Sequence, residues 1–208
     1  IVPWQMVCER VGSIIKVIPI TDDGSLDMAT FESLLTPAVK FMALTQMSNA
    51  LGTLPDVKGM IQKARAHCPE IKVLIDGSQS VVHLKIDVLD LDTDFFVFTG
   101  HKLYGPTGIG VCWGRFDLLS QMPPYQTGGD MISRVSFERT TFKEPPTRFE
   151  AGTPPILEAI GLGAAIDYLT GIGLDAIHAH ENAMFQILME QLQTVPKVKI
   201  FGSIKDRA

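Results

Sequence analysis

Cysteine and positive charge are both scarce in these 208 residues. The three cysteines, Cys8, Cys68 and Cys112, are widely spaced and form no Cys-x-x-Cys pair. That spacing excludes a disulfide framework and an ordinary zinc site, so reduced and partly buried thiols are expected. Eighteen Lys and Arg stand against 23 Asp and Glu, a net charge of -5 without a basic cluster, so nucleic acid is not the expected partner. No apolar run approaches a membrane span, and Ile1-Val2-Pro3-Trp4-Gln5 lacks the basic start of a signal peptide. Repeats and low-complexity tracts are also missing. What is left is 46% hydrophobic and 20% charged, the make-up of a cytoplasmic globular protein long enough to bury a full core.

The hydrophobic pattern alternates between helix and strand. Trp4, Val7, Cys8 and Val11 fall at helical spacing, and Gly12 is placed to stop the turn. Ile14 to Ile20 reads as a strand, Asp27 to Leu35 as a short helix and Phe41 to Thr45 as a strand. Pro55 and Asp56 open a helix reaching His67, and Lys72 to Ile75 is the next strand. Asp94 to Thr99 and Ile109 to Trp113 are further buried-type runs. After Gly114 the chain is rich in Pro, Gly and Thr and reads as irregular as far as Thr153. Pro155 to Leu169 and Leu174 to Leu192 then read as two helices joined at Gly171-Ile172-Gly173. Such alternation predicts an α/β fold with a mostly parallel sheet covered by helices. Ligands in such sheets gather at the carboxyl ends of the strands. Three polar loops leave expected strand ends there: Ser48-Asn49, Asp76 to Gln79, and Thr99 to Lys102.

Two of those loops carry a chemical signal. Val73-Leu74-Ile75 ends in Asp76, and Phe96-Val97-Phe98-Thr99-Gly100-His101 delivers Lys102 into a glycine-rich loop. Pyridoxal phosphate chemistry needs such a pair: an amine to form a Schiff base with the aldehyde, and a carboxylate to pair with the pyridinium nitrogen. Each residue alone is weak, since Asp76 also suits a turn cap and a lone lysine is usually solvated. Other motifs fail. Gly105-Pro106-Thr107-Gly108-Ile109-Gly110 is followed by Val111-Cys112 where a phosphate loop requires Lys-Ser/Thr. Gly161-Leu162-Gly163 lacks the third glycine of a dinucleotide fingerprint, because Ile166 stands there. His178 and His180 lie two apart on a helix and share no face, so no metal site is expected. His67 and His83 have no partner in sequence and read as structural or exposed.

Taken together, Ile1-Val2-Pro3-Trp4-Gln5, Ser48-Asn49-Ala50-Leu51-Gly52, Asp76-Gly77-Ser78-Gln79, Thr99 to Gly108, Gly128-Gly129-Asp130-Met131-Ile132 and Arg148 to Pro154 resemble the class V aminotransferase family of fold-type I pyridoxal phosphate enzymes. The likeness is strongest to the SufS-like cysteine desulfurases. The resemblance implies the large domain of a PLP-dependent transferase. It implies that Lys102 holds the cofactor covalently and shuttles the Cα proton. Asp76 pairs with the pyridine nitrogen, Gln79 bonds the ring hydroxyl, and Asn49 lies at the same edge. Thr99 and His101 bind the phosphate, and Thr153 reaches the phosphate of a neighbouring subunit, which implies a homodimer. The activity implied is removal of sulfur from L-cysteine, giving L-alanine and an enzyme persulfide, with a sulfur-acceptor protein as partner in iron-sulfur cluster assembly. Selenocysteine lyase, aminotransferase and kynureninase-like activities are the alternatives within the family, and a non-catalytic cofactor-binding or dimerisation module is the alternative outside it.

The pattern is not matched everywhere. Gln46 stands where the family usually has histidine, with altered proton handling near the substrate as the expectation, and Thr99 replaces a common serine. None of the three cysteines lies in a motif that matches the family's nucleophile. The chain begins without Met, close to a helix, and stops after an expected strand near Gly202. Residues 1–208 are therefore expected to be a cofactor-binding large domain cut at both ends, with an N-terminal segment and a C-terminal small domain absent.

Overall fold

The computed structural model describes residues 1–202. The centre is a four-stranded sheet in the order β1 (Phe41–Thr45), β2 (Lys72–Asp76), β3 (Phe95–Thr99) and β4 (Gly110–Gly114). β1, β2 and β3 run parallel, and β4 returns antiparallel beside β3. The linkers explain the difference. A parallel return needs a crossover long enough to traverse the sheet, and residues 100–109 form only a compact loop. The α/β, mostly parallel sheet expected from the sequence is present.

One face of the sheet is sealed. Met42, Leu44, Val73, Ile75 and Phe96 alternate onto it and are buried. Against them pack α2 (Met28–Leu34), through Phe31, and α3 (Val57–His67), through Val57, Met60, Ile61 and Ala64. That spacing puts four side chains of α3 on one stripe. Each large aliphatic fully buried there contributes about 1.5–3 kcal/mol, so α3 is a principal clamp on the sheet. Its start is set by Asp56, whose carboxylate accepts from the Gly59 amide at 2.9 Å. Asp27 does the same for α2, accepting from the Thr30 amide at 2.9 Å; the Thr30 hydroxyl and amide hold its carboxyl below the usual aspartate range.

Among the described residues, α1 (Val2–Val11) covers the opposite face at its amino end. There it brings the Trp4 ring to 5.1 Å from Phe41, which stacks in turn 6.4 Å from Phe95. No residue of α1 is fully buried, and Gly12 ends the helix in the left-handed conformation, φ 68°. The helix and its glycine stop match the expectation; a packed apolar stripe does not form.

Two long helices complete the fold: α5 (Ile156–Ile172) and α6 (Leu174–Thr194), which meet at Gly173 and diverge by 73°. Leu162 and Leu169 of α5 pack with Val82 and Leu103, the residues behind the loops that follow β2 and β3. His83, without a partner nearby in sequence and read as structural or exposed, is half-buried and structural: its Nδ1 lies 2.9 Å from the Glu181 carboxylate and joins the same loop to α6. No single helix among the described residues is long and apolar enough to cross a membrane.

Three expectations are corrected. Ile14 to Ile20 is not a strand; only Ile20 forms a bridge, to Leu26, and Ile14 and Val17 are exposed. No strand among the described residues lies beside that segment, so its β-branched residues have nothing to pair with. The stretch after Gly114 is not irregular. It contains α4 (Phe116–Gln121) and a two-stranded antiparallel sheet of β5 (Ile132–Val135) and β6 (Thr140–Phe142). These elements are too short to show a period, and Arg148 ties them down by donating to the carbonyls of Ser120 (2.6 Å), Met122 (3.2 Å) and Lys143 (2.9 Å). No strand forms over residues 195–202, and the expected end of the chain, residues 203–208, lies outside the described residues.

Candidate active site

The three polar loops do leave the same end of the sheet, from β1, β2 and β3. Register then decides which side chains share a face. Thr45 is opposite Asp76 and Asp76 opposite Val97, so strict alternation puts Thr45, Asp76 and Thr99 on the face that α3 does not cover. Asp76 is half-buried there. Its Oδ1 accepts from the Ser78 amide at 2.9 Å, while Oδ2 has no hydrogen-bond partner among the described residues. One oxygen is thus fixed and the other available.

The turn that follows is shaped by Gly77, whose amide donates to the Val97 carbonyl at 2.8 Å. A Cβ on Gly77 would lie 2.0 Å from the buried Phe96 ring, so only glycine lets the chain cross at this point. Gln79 lies at the start of a 3-10 turn, Ser80–Val82, and is half-buried.

Lys102 ends a second 3-10 turn, Gly100–Lys102, directly after β3. The Gly100 amide donates to the Ile109 carbonyl at 2.9 Å, and the Gly100 carbonyl accepts from Leu103 (2.9 Å) and Gly105 (3.0 Å). A side chain on Gly100 would meet Ile109 at 2.8 Å, and one on Gly105 would meet Leu162 at 2.9 Å. The loop is therefore closed on itself and backed by α5. Lys102 is half-buried, and its amine has no hydrogen bond or ion pair among the described residues. Thr99 Oγ1 lies 2.8 Å from His101 Nδ1, which fixes the imidazole at the exposed rim.

Asn49 is exposed in the adjoining turn, where Ser48 Oγ accepts from Ala50 (3.3 Å) and Leu51 (3.1 Å). Thr153 is exposed, in a loop held by Gly152 donating to the Gly129 carbonyl at 3.0 Å. Asp76, Gln79, Thr99, His101 and Lys102 thus come to one end of the sheet, at the loops that follow β2 and β3, with Asn49 in the loop that follows β1. The donor set suits pyridoxal phosphate: an amine without a protein partner, a carboxylate with one unengaged oxygen, and a hydroxyl-imidazole pair for a phosphate. Two surface hollows, of about 430 and 410 Å³, lie instead around Met122–Pro124 and the β5–β6 hairpin, away from these groups.

Gln46 departs from its expected role. Met42, Leu44 and Gln46 alternate inward, so Gln46 is buried and bonds Ser80 rather than facing a ligand. Period-two alternation along β1 would have shown this from sequence alone; nothing in sequence pointed to Ser80.

Two of the cysteines, Cys68 and Cys112, are poorly placed for nucleophilic work. Cys68 is buried, with Sγ donating to the Thr36 carbonyl at 3.0 Å. Cys112 is opposite Val97 and shares the open face with Asp76, but desolvation pushes its thiol above the ordinary cysteine range. Since the thiolate is the reactive form, Cys112 is expected to react with iodoacetamide more slowly at pH 7 than a free thiol of similar exposure. Its rate should rise with pH through a midpoint above the ordinary one. A rate equal to free cysteine at pH 7 would refute this.

The mostly parallel sheet, with Asp76 and Lys102 at its carboxyl ends, is an α/β layer, and the chain belongs to the class-V aminotransferase family, whose model, Aminotransferase class-V, matches residues 1–208. Among curated relatives it is 48% identical over 205 residues to a cysteine desulfurase of Dickeya dadantii, covering 98% of this chain and 49% of that protein. It is 50% identical over 203 residues to a cysteine desulfurase of Serratia proteamaculans, covering 97% and 50%. The chain spans about half the length of the curated relatives it matches. Among solved structures it superposes on the cysteine desulfurase CsdA of Escherichia coli with a TM-score of 0.89 at 37% identity, covering 94% of this chain and 49% of that one. For the cysteine desulfurase of Thermococcus onnurineus NA1 the TM-score is 0.93 at 34% identity, with 100% and 52% covered. Class-V aminotransferases and cysteine desulfurases depend on pyridoxal phosphate.

Proposed function

We propose that residues 1–208 form the cofactor-binding large domain of a SufS-like cysteine desulfurase, which removes sulfur from L-cysteine to give L-alanine and an enzyme persulfide. One observation carries the reading: Asp76, with one carboxylate oxygen anchored and the other unengaged, shares the sheet end with Lys102, whose amine has no protein partner among the described residues. The cysteine desulfurase relatives support it.

When bound, pyridoxal phosphate supplies an aldehyde that captures an amine and a protonated ring that withdraws electrons. Asp76 Oδ2 would hold the proton at the ring nitrogen, with the Ser78 amide on Oδ1 keeping the carboxylate aimed. The Lys102 amine would hold the cofactor covalently and would take up and return the proton at the substrate Cα. Thr99 and His101 would hold the phosphate as a hydroxyl-imidazole pair, their 2.8 Å contact fixing both side chains. Gln79 would donate to the ring hydroxyl, with Asn49 at the same edge. Thr153 would reach the phosphate held by a second subunit of a homodimer. Persulfide forms on a cysteine other than Cys8, Cys68 and Cys112. From it a sulfur-acceptor protein carries sulfur toward iron-sulfur cluster assembly in the cytoplasm.

The test is borohydride reduction of the intact protein with pyridoxal phosphate, followed by peptide mass mapping. The expected result is an adduct on Lys102 and, in a sample not treated with borohydride, conversion of L-cysteine to alanine, with sulfide released when an added thiol reductant discharges the persulfide. An adduct elsewhere, or none, would overturn the assignment of Lys102, and an adduct without turnover of L-cysteine would overturn the desulfurase reading.

A further inference from the structure

At the end of β1, the Gln46 amide donates to the Asp76 carbonyl at 2.9 Å, which carries the β1–β2 ladder one residue past the strand. Its side chain reaches further: Ser80 Oγ donates to Gln46 Oε1 at 2.6 Å, and lies 3.3 Å from the Gly77 carbonyl. Ser80 is 0% exposed and Gln46 8%, so no bulk water can replace either partner. One residue therefore grips the Asp76–Ser80 loop at both ends. Between the grips lies Ser78, whose amide holds Asp76 Oδ1.

We propose that Gln46 is a positioning residue for the Asp76 carboxylate, acting through the buried Gln46–Ser80 bond and the loop it closes. Gln46 touches neither substrate nor cofactor. It sets the height and tilt of the turn that orients the carboxylate, and the loop carrying Gln79 moves with it. This rests on the cofactor reading above. Losing the acceptor leaves the buried hydroxyl only its longer contact to the Gly77 carbonyl, within the loop itself, and frees the turn to shift against β1.

The experiment is a double-mutant cycle in the intact protein: Gln46→Met, Ser80→Ala and both together, with pyridoxal phosphate affinity and the pH dependence of bound-cofactor absorbance as readouts. Each single variant is expected to weaken cofactor affinity about tenfold and to move the pH midpoint, and the double variant to be no worse than either. Gln46→His, whose ring nitrogen can accept from Ser80, is expected to restore most of the affinity. A purely structural role predicts lowered melting temperatures with wild-type affinity and pH midpoint; that outcome, or a double variant losing the product of the single effects, overturns the proposal. If the wild-type protein forms no adduct on Lys102, the cofactor reading falls and this proposal with it. Wild-type adduct formation with unaltered variants removes the Gln46 role alone.

Discussion

Replacing Lys102 by alanine is expected to abolish covalent retention of pyridoxal phosphate and to lower turnover of L-cysteine by about 10²–10⁴-fold or more, the range that a positioned proton-transfer group contributes. The fold should survive. The Lys102 side chain makes no hydrogen bond among the described residues, and its turn is held by the backbone bonds of Gly100 to Leu103, Gly105 and Ile109. Two measurements separate the possibilities: mass mapping after borohydride for the adduct, and thermal melting for the fold. An adduct that persists on another lysine would move the covalent link, and a collapsed melting transition would give Lys102 a structural role instead.

The second large effect lies at the opposite end of the sheet. Asp94 is 2% exposed, accepts from the Val73 amide at 2.8 Å, and faces Arg65 at 3.2 Å and Arg115 at 3.4 Å. Asp94→Ala would leave the Val73 amide without its acceptor and two guanidiniums without their buried counter-charge. Removing one partner of a buried pair costs about 3–5 kcal/mol; both arginines keep some access to water, so the lower part of that range is expected. Asp94→Asn, which retains an acceptor for Val73, should cost less. Asp92 meets the same arginines but is exposed, and Asp92→Ala should cost no more than about 1 kcal/mol. Denaturant midpoints check all three. Equal losses for Asp92→Ala and Asp94→Ala would show that burial is not what matters.

The legible parts of the fold were those with a strong period or a strong stop. β1, β2 and α3 lie within a residue or two of expectation because each is a periodic apolar run, with Asp76 closing β2 and Pro55-Asp56 opening α3. Asp76 and Lys102 were legible because chain order alone puts them at the ends of neighbouring parallel strands. What sequence does not carry is the partner of an edge. Ile14 to Ile20 has a strand's composition, yet pairing depends on what lies beside it, and only Ile20 finds a bridge. The β5–β6 hairpin owes its place to the Arg148 fork on three backbone carbonyls, a contact no period announces. Gln46 shows the same limit in the site. Its identity suggested chemistry toward a ligand, whereas the pleat turned it inward to Ser80.

The self-closed loop around Gly100 bears on how quickly a cofactor can be taken up. Because the turn is already ordered, with its glycine bonds made and Leu103 buried against α5, capture has little backbone left to freeze. Only the lysine's four methylenes have freedom to lose, at most about 2 kcal/mol of rotamer entropy. The encounter then resembles a key entering a cut lock rather than a hand closing on an object. Loading should follow a single bimolecular phase, proportional to cofactor concentration, without a slow rearrangement behind it.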